Sequence, residues 1–577
     1  MSKLNNLKKT HDLKGLAKLL GYKPIGLSYV LYKIPDNKRY KTFAISKKSG
    51  GERIINAPER EIKLLQSRLA DFLYDCIDEI QMDNPHYLGA SHAFQKERTI
   101  ISNAKHHQRR KYVFNIDLED FFGTINFGRV RGFFLKDSYF TLQESVATII
   151  AQITCHKNAL PQGSPSSPVI SNLIGNILDR QLSSLARDVK CTYTRYADDL
   201  TFSTNMKSFP PEIAVPGEDS QWHVGDELRD QITQCGFSIN DNKTRMSLRC
   251  SRQTVTGLVV NSKPNINQDY YRSVRAMCHS LFGTGNYYLL NANDETDKKW
   301  IKNLNPLEGM LSHIYFVKMR RDRRDTKKTE NSKINKRARK VGEFKPPEAP
   351  GILYKRFLYY KHFAAPTAPL IVCEGKTDII YLKCAINALI GKFPLLADVE
   401  EGKSKREINF LKRSGSILKT LDLAEGASGL SKLIGEYQKT LSKFKDKPMS
   451  YPVIILCDND ADGKKVFSAV KTNTNIVITP MSSDSFFHLF ENLYLVKVPE
   501  NTNSGQIEDL FPDDLLNTKF QGKVFELIKE NNDQETFDKI IFAKKIVFPR
   551  RNDEEIFSDF EPLLQRISDC ISDYQSR

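Results

Sequence analysis

A chain of 577 residues is too long for a single hydrophobic core, and this length predicts three or four domains. A formal net charge of +17 and a pI near 9.2 indicate a polyanionic partner, most simply nucleic acid. The sequence has no apolar run long enough to span a bilayer, its first residues are polar, and its ten cysteines form no CxxC pair. These features argue against a membrane protein, a secreted disulfide scaffold and a zinc knuckle, and we expect a cytoplasmic protein.

The first candidate site residue along the chain is Arg53, in a β-hairpin predicted over residues 47–58. A Gly50-Gly51 turn separates two arms of basic and strand-forming residues. A guanidinium forks onto phosphate oxygens, so Arg53 is a candidate contact for a nucleotide triphosphate. An amphipathic helix, predicted over residues 59–82, supplies core.

Asn103 and His107 lie in a polar segment that precedes a basic run over residues 109–111. The histidines of this segment have no metal-ligand partners nearby in the sequence. We therefore prefer polar packing or contact with RNA over metal binding for this segment.

Three aspartates come from two predicted strands and a turn. One predicted strand ends in Asp117, and a hairpin is predicted over residues 193–203 with Asp198 and Asp199 at its turn. Carboxylate oxygens bind hard divalent cations, and two metals about 3.5–4 Å apart clamp the attacking and leaving oxygens in phosphoryl transfer. We therefore predict that these three carboxylates are catalytic and hold two Mg²⁺ ions.

Three further residues are candidates for nucleotide binding. Phe122 lies five residues after Asp117, where a bulky ring could exclude a 2′-hydroxyl from a nucleotide pocket. Gln162 lies in a proline-flanked loop that opens a helix predicted over residues 169–185, and backbone amides at a helix start favour phosphate. Lys243 offers a positive charge near pyrophosphate.

These motifs occur in the order of a reverse transcriptase palm. The residues that carry the resemblance are Asp117 with Phe122, Pro161-Gln162-Gly163, Tyr196-Ala197-Asp198-Asp199, Gly236-Phe237 to Lys243, and Val255-Thr256-Gly257. Over about residues 1–315 the chain resembles bacterial retron reverse transcriptases, whose additional motifs are similar to Asn103-Ala104-x-x-His107 and to Val255-Thr256-Gly257.

The resemblance implies a right-hand fold, with fingers and palm over residues 1–260 and a helical thumb over 261–317. It implies that dNTPs are polymerised on a cognate structured noncoding RNA, from an internal 2′-hydroxyl primer. The RNA-linked product, multicopy single-stranded DNA (msDNA), is expected to stay bound. Nucleic-acid contacts are implied for Asn103, His107, Val255, Thr256 and Gly257. The sequence has no RNase H-like carboxylate set, so a host RNase H is expected to remove the template.

The chain turns strongly basic after the predicted thumb. Residues 318–367 form a predicted linker, and proline-rich segments near its end mark the main domain boundary. Beside a polymerase thumb, we expect its basic residues to contact the RNA–DNA product. The candidates are Arg320, Arg321, Arg323 and Arg324.

A second set of carboxylates follows two apolar segments. Residues 370–373 predict a buried strand that ends at Glu374, and residues 452–457 predict another that ends at Asp458. Apolar strands alternating with helices indicate a parallel sheet, whose sites gather at the strand ends. We therefore predict a Mg²⁺ site of Glu374, Asp458 and Asp460, with Asp462 as a further candidate ligand.

This second set resembles the Toprim fold of topoisomerases, primases and nucleases of the overcoming-lysogenization-defect type, over about residues 368–500. The matching residues are Glu374, Asp378, Asp458 and Asp460. The resemblance implies that Glu374 acts as acid/base or metal ligand, with Mg²⁺ or Mn²⁺ bound. No topoisomerase tyrosine or primase zinc motif is evident, which favours a nuclease. Residues 501–577 are predicted to be a helical extension, from which Glu508, Asp509, Lys544 and Lys545 are open candidates for the same site.

The expected fold is thus multidomain, α+β and α/β: a right-hand reverse transcriptase followed by a Rossmann-like Toprim domain. The expected function is msDNA synthesis, with the Toprim nuclease as an antiphage effector held inactive by bound msDNA. Two alternatives stay open: a group II intron-like reverse transcriptase with a DNA-cutting domain, and a reverse transcriptase with a non-catalytic Toprim assembly module. A homo-oligomer is possible.

Overall fold

The computed structural model describes the whole chain except residue 1 and residues 47–50, 219–220, 292–293, 331–348, 401–402, 413–414, 424–425, 501–503 and 526–535. The chain divides into two compact units, Met1–Asn267 and Gln268–Arg577. Among the described helices, none combines the length and the apolar character that crossing a bilayer requires.

The first unit begins with short helices and the predicted hairpin. The helices are Lys3–Lys8, Leu13–Leu19, Pro24–Ser28 and Asp36–Arg39, with a π-helical turn at Tyr29–Lys33. Strands Tyr40–Ser46 and Glu52–Pro58 pair antiparallel, so Arg53 lies on a hairpin strand as predicted. Residues 47–50 of the predicted hairpin lie outside the described residues, and the first strand precedes them. Helix Arg60–Asp83 buries an apolar stripe, as its amphipathic pattern predicts.

A central antiparallel sheet organises the rest of the first unit. Strand Tyr112–Glu119 lies between Asp199–Thr204 on one side and two short strands, Ser238–Ile239 and Arg245–Leu248, on the other. Strand Thr192–Tyr196 forms the outer edge beyond Asp199–Thr204. The helices of this part are Ile100–His106, Phe127–Lys136, Glu144–Thr154, Ser167–Asp188 and Asp226–Gln234. Two further strand pairs are Ala214–Pro216 with Trp222–Val224 and Thr254–Val255 with Leu258–Val259.

The second unit begins with helices Gln268–Thr284, Asn305–Glu330 and Ala349–Tyr359. Between the first two, strands Tyr287–Asn291 and Asp294–Ile301 pair antiparallel. The segment predicted as a helical thumb, residues 261–317, therefore contains a two-stranded ribbon as well as helices. The helical spacing of apolar residues that predicted the thumb lies before this ribbon in the sequence and therefore does not predict it.

A five-stranded sheet forms the centre of the second unit. Its strand order is Asn409–Phe410, Leu370–Cys373, Val453–Cys457, Leu493–Lys497 and Phe487–Phe490. The first four strands run parallel and the last is antiparallel. Its major helices are Lys376–Ala388, Ala427–Leu441, Gly463–Thr474 and Glu561–Ser576. The central strands are buried along their whole length, so the parallel sheet predicted from their continuous apolar runs is confirmed.

The second unit also contains many short elements. The helical ones are Tyr360–Ala364, Gly415–Leu421, Ile507–Leu510, Asp513–Leu516, Lys539–Ile541, Phe542–Val547, Phe548–Arg550 and Glu555–Phe560. The strand pairs are Ala397–Glu400 with Lys403–Arg406 and Val524–Phe525 with Thr536–Phe537. The C-terminal extension is thus mainly helical but carries one strand pair.

Candidate active sites

The first acidic site consists of Asp117, Asp198 and Asp199. Strand register places Asp117 directly opposite Asp199, and the N–H of Leu118 donates to the Asp198 carbonyl at 3.0 Å. Asp198 lies in the turn after Ala197, whose φ of 56° is left-handed, whereas Asp199 begins the next strand. The fold therefore brings together the three carboxylates, although they are about 80 residues apart in the sequence.

The electrostatics of this site are those of crowded acids. Burial, with repulsion from Asp198 and Asp117, raises the pKa of Asp199 to about 6. Burial likewise raises the pKa of Asp198. Lys243 donates from Nζ to Asp117 Oδ2 at 2.9 Å, and Arg53 opposes the increase in the Asp198 pKa. Both predicted nucleotide-binding cations therefore face the acidic site.

The loop that carries Gln162 contacts the hairpin that carries Arg53. The Asn56 N–H donates to the Gln162 carbonyl at 3.2 Å. Gly163 has a φ of +112°, and a Cβ there would lie 3.3 Å from Ile55. This loop is therefore fixed against the Arg53 hairpin by backbone contacts.

Phe122 is half-buried against neighbouring rings. Its centroid lies 5.4 Å from that of Phe121 and 6.4 Å from that of Phe94. The ring thus packs at the margin of the core, five residues beyond Asp117.

Comparison with known proteins identifies the family of the chain. A family model described as "Reverse transcriptase (RNA-dependent DNA polymerase)" matches residues 45–267. Retron Ec86 reverse transcriptase of Escherichia coli is 35% identical over 248 residues, which cover 42% of this chain and 70% of that protein. The chain belongs to the retron reverse transcriptases.

Two other family members show the extent of the likeness. Retron Ec83 reverse transcriptase of Escherichia coli is 30% identical over 258 residues, covering 43% of this chain and 77% of that protein. Retron Mx162 reverse transcriptase of Myxococcus xanthus is 30% identical over 312 residues, covering 48% of this chain but only 60% of that protein. The family model ends at residue 267, so the second acidic site lies outside the segment it matches.

A buried ion pair supports the Asp198 turn of this retron reverse transcriptase. Arg195 is fully buried and donates from Nε and Nη2 to the two oxygens of Asp179, at 2.8 and 2.7 Å. Its Nη1 donates to the Ala197 carbonyl at 3.2 Å. A Cβ at Gly175 would lie 2.7 Å from the guanidinium, so glycine leaves room for it. The sequence analysis did not predict this ion pair, because Arg195 is adjacent to the Tyr196-Ala197-Asp198-Asp199 motif but is not part of it.

A second buried network lies on the other side of the same hairpin. Thr194 Oγ1 donates to Asn103 Oδ1 at 2.5 Å, and His107 Nε2 lies 2.7 Å from Thr194 Oγ1. Ser203 Oγ lies 2.7 Å from His107 Nδ1, and burial lowers the pKa of His107 well below its usual value. Because Asn103 and His107 are both 0% exposed, neither side chain can touch a nucleic acid. Of the two roles left open for this segment, polar packing is the one that these side chains show, and their predicted contact with nucleic acid is corrected to an internal brace.

The Val255-Thr256-Gly257 segment forms a tight hairpin. Thr256 and Gly257 have φ values of 46° and 77°, which form the two-residue turn. Val255 is fully buried, so its predicted contact with nucleic acid is corrected to packing. Thr256 Oγ1 donates to the Ile100 carbonyl at 3.3 Å, and Gly257 is exposed.

The predicted basic contacts of the linker belong to helix Asn305–Glu330. The structure does not describe the side chains of Arg320, Arg321, Arg323 and Arg324. Their contacts with nucleic acid therefore stay a prediction.

The second acidic site forms where two neighbouring parallel strands end. Strand Leu370–Cys373 leads to Glu374, and strand Val453–Cys457 leads to Asp458. The backbone N–H groups of Asp458 and Ala427 donate to the Glu374 carboxylate, whose pKa is raised by burial and by repulsion from Asp460. Glu374 Oε2 is nevertheless buried without a hydrogen-bond partner.

Asp458 is the most perturbed acid of this second site. Burial, together with repulsion from Asp378, Glu374 and Glu508, raises its pKa to about 8. Asp378 also accepts from the Gly375 N–H at 2.6 Å. Glu508 is 1% exposed, so this open candidate does join the site.

Lys539 is the cation of the second site that sequence reasoning missed. Its Nζ donates to Glu508 Oε2 at 3.0 Å, while Glu508 Oε1 is buried without a partner. The lysines considered in its place, Lys544 and Lys545, are exposed on the turn Phe542–Val547. No sequence motif surrounds Lys539.

The remaining acidic candidates make local contacts. Asp460 Oδ1 accepts from the N–H groups of Asp462 and Gly463, both at 2.9 Å. Asp462 is exposed and paired with Lys465. Asp509 accepts from Ser504 and so closes its own loop. Asp460 thus stabilises the loop that follows Asp458, whereas Asp509 stabilises the loop that contains Ser504.

Both acidic sites suit a hard divalent cation by donor chemistry. All their donors are oxygens, burial raises the pKa of Asp199 in the first site and of Asp458 in the second, and the second site has two unpartnered buried carboxylate oxygens. Within the described part of the chain, no three His, Cys, Asp or Glu side chains are already arranged as a metal-binding group. Carboxylates without a bound cation repel one another, and Lys243 already pairs with Asp117. Both effects are consistent with carboxylates that are not yet arranged around a metal.

Proposed function

We propose that this retron reverse transcriptase copies RNA into DNA at the first acidic site. The observation that carries the proposal is the strand register that sets Asp117 opposite Asp199, with Asp198 in the adjoining turn. Asp117, Asp198 and Asp199 would hold two Mg²⁺ ions. The chemistry supplied by bound Mg²⁺ is activation of the primer hydroxyl and stabilisation of the departing pyrophosphate.

The surrounding residues would bind the incoming dNTP. Arg53 contacts the triphosphate, and Lys243, now held by Asp117, offers its charge to the pyrophosphate. Gln162 shapes the pocket through a loop fixed to the Arg53 hairpin. Phe122 excludes the 2′-hydroxyl of a ribonucleotide.

The template and product follow from membership of the family. We propose that a cognate noncoding RNA supplies both template and internal 2′-hydroxyl primer, that the product is RNA-linked msDNA, and that a host RNase H removes copied RNA. The net charge of +17 supports retention of these polyanions. The basic residues of segment 318–367 would contribute to that retention.

Recovery of bound nucleic acid tests this part of the proposal. The protein is purified from cells that carry its neighbouring noncoding sequence, and the extracted nucleic acid is sequenced before and after debranching. Branched RNA–DNA is expected with the native protein and with the control Glu119→Gln, at the exposed end of the same strand as Asp117. Spliced intron RNA, or DNA that persists in Asp198→Asn, would contradict it.

We further propose that residues 368–500 are a Toprim nuclease that acts as the effector in antiphage defence. The supporting observation is the convergence of Glu374, Asp378, Asp458 and Glu508 at the ends of parallel strands. Mg²⁺ or Mn²⁺ would be held there, with the nuclease kept inactive while msDNA is bound.

Phage restriction tests the effector. Glu374→Gln and Asp458→Asn are each expected to abolish protection of cells against phage while msDNA levels stay unchanged. Asp484→Asn, at an exposed aspartate that belongs to neither predicted carboxylate set, is the control that keeps protection. Unchanged restriction by Glu374→Gln would instead favour a non-catalytic assembly module.

A further inference from the structure

One helix of the second unit begins at the second acidic site and ends at the helix assigned to the thumb. Helix Ala427–Leu441 starts with the Ala427 N–H donating to the Glu374 carboxylate. Gly426 precedes it with a φ of +77°, and a Cβ there would lie 3.8 Å from Glu374 Oε1. At 1.5 Å per residue, the helix is about 22 Å long.

The segment that follows this helix contacts the C-terminal end of helix Gln268–Thr284. The N–H groups of Lys445 and Asp446 donate to the Phe282 carbonyl, at 3.0 and 3.2 Å. The Phe282 ring lies 5.1 Å from that of Phe444 and 5.6 Å from that of Tyr360. We call the contact among Phe282, Tyr360, Phe444 and Asp446 the latch.

Polar contacts lock the latch. Tyr360 donates from its hydroxyl to Asp446 Oδ2 at 2.6 Å. The Arg356 guanidinium lies 4.8 Å from the Phe282 ring and donates to the Lys443 carbonyl at 2.7 Å. A Cβ at Gly285 would lie 2.7 Å from Asp446, so glycine permits the close approach. The end of the thumb helix is thereby fixed to the segment after helix Ala427–Leu441.

Two arginines of helix Gln268–Thr284 suit contact with nucleic acid. Arg272 and Arg275 are exposed, whereas Val274, Leu281 and Phe282 are buried. A polyanion bound to the two arginines would load the same helix whose end forms the latch.

We propose that nucleic acid held on helix Gln268–Thr284 is sensed at Glu374 through the latch and helix Ala427–Leu441. Loading the thumb helix displaces the latch, and the rigid helix transmits the displacement to the Ala427 N–H that orients Glu374. The inference rests on the proposed function and assigns a physical route by which bound nucleic acid controls the second site.

Hydrogen–deuterium exchange of the full chain tests this route without a nuclease substrate. The probe is an RNA–DNA hybrid with a recessed DNA 3′ end, added without dNTPs. In the native protein we expect protection of residues 268–284 and a change of at least about fivefold in the exchange rate of residues 426–430. Tyr360→Phe, which removes one hydroxyl from the latch, should keep the protection and lose most of the change.

A control variant and a second latch variant test whether the change depends on the latch. Tyr494→Phe removes a similar Tyr–Asp hydrogen bond, to Asp573 at 2.7 Å, away from the latch, and should behave as the native protein. Asp446→Ala, checked for native thermal stability, should repeat the result of Tyr360→Phe. Protection of residues 268–284 without a change at 426–430, or a change that persists in both latch variants, overturns the inference alone. Absence of protection at residues 268–284 also overturns the inference. A bound primer end should protect strand Tyr112–Glu119, which carries Asp117, and absence of protection at that strand too overturns the proposed function with it.

Discussion

The two acidic sites gather their carboxylates in opposite ways. In the first, antiparallel register sets Asp117 against Asp199, and Lys243 already neutralises part of the charge. In the second, parallel strands deliver Glu374 and Asp458 to one edge of a sheet. The pKa is raised to about 6 for Asp199 but to about 8 for Asp458. Burial is the largest cause of both shifts, so the charged form of Asp458 is the more strongly disfavoured, and we expect the second site to depend more strongly on a cation.

The largest expected effect separates the two sites by activity. Asp198→Asn should lower the rate of DNA synthesis on an RNA template by about a thousandfold or more, because a metal ligand of the reacting oxygens is lost. Binding of metal at the second site should be unaffected. Primer extension with the Glu119→Gln control measures the change. A rate within tenfold of the native one would refute the assigned role of Asp198.

The second effect concerns the brace beneath the first site. Arg195→Met should destabilise the protein by about 3–5 kcal/mol, because Asp179 is left as an unpaired buried charge. The double variant Arg195→Met/Asp179→Leu should recover most of that stability, yet extend primers more slowly because the Ala197 carbonyl has lost its donor. Thermal unfolding and extension rates are compared.

The matched control for this brace is an exposed ion pair of the same unit. Arg229 lies 2.8 Å from Asp241 with 41% and 63% of the two side chains exposed. Arg229→Met should cost less than about 1 kcal/mol. Native extension rates in the double variant would reduce Arg195 to a purely structural residue.

The third effect probes the repulsion of the second site. Without metal, the folded protein binds more protons at Asp458 than the unfolded chain does, so this group destabilises the fold increasingly from about pH 4 to about pH 8. Asp458→Asn should therefore stabilise the protein in EDTA at pH 7 by about 2–4 kcal/mol, and less at pH 5. Calorimetry measures it, with the exposed Asp462→Asn as control. Equal stabilisation by both variants would count against a charged, buried cluster.

The smallest effect distinguishes bracing from contact with RNA. Asn103→Ala should cost about 1–3 kcal/mol, since it removes the buried oxygen that accepts the hydrogen bond of the Thr194 hydroxyl. Its affinity for an RNA–DNA hybrid, measured by filter binding, should change less than twofold. Arg53→Ala, at an exposed position, should show the reverse pattern: native stability and a raised KM for dNTPs. Lost hybrid affinity in a stably folded Asn103→Ala protein would restore the surface role.

The main strands, helices and acidic residues could be predicted because their signals are local. Continuous apolar runs before Glu374 and Asp458 indicate buried parallel strands, and the order of motifs around Asp198 indicates the palm. The sequence left open whether Asn103 and His107 pack internally or contact RNA, because polar residues are buried only when distant partners such as Thr194 and Ser203 satisfy them. Lys539 was missed because its partner Glu508 is distant in the sequence.

The sequence by itself determined the family, the two carboxylate sets and the hairpin that carries Asp198, because motif spacing and hydrophobic period are properties of short segments. Only the tertiary structure decided which polar residues contact the acidic sites, such as Lys243, and which pack in the interior, such as Asn103 and His107. It also decided that one helix runs from Glu374 to the latch. Such relations depend on strand register and helix docking between segments far apart in the chain, and no local pattern encodes them.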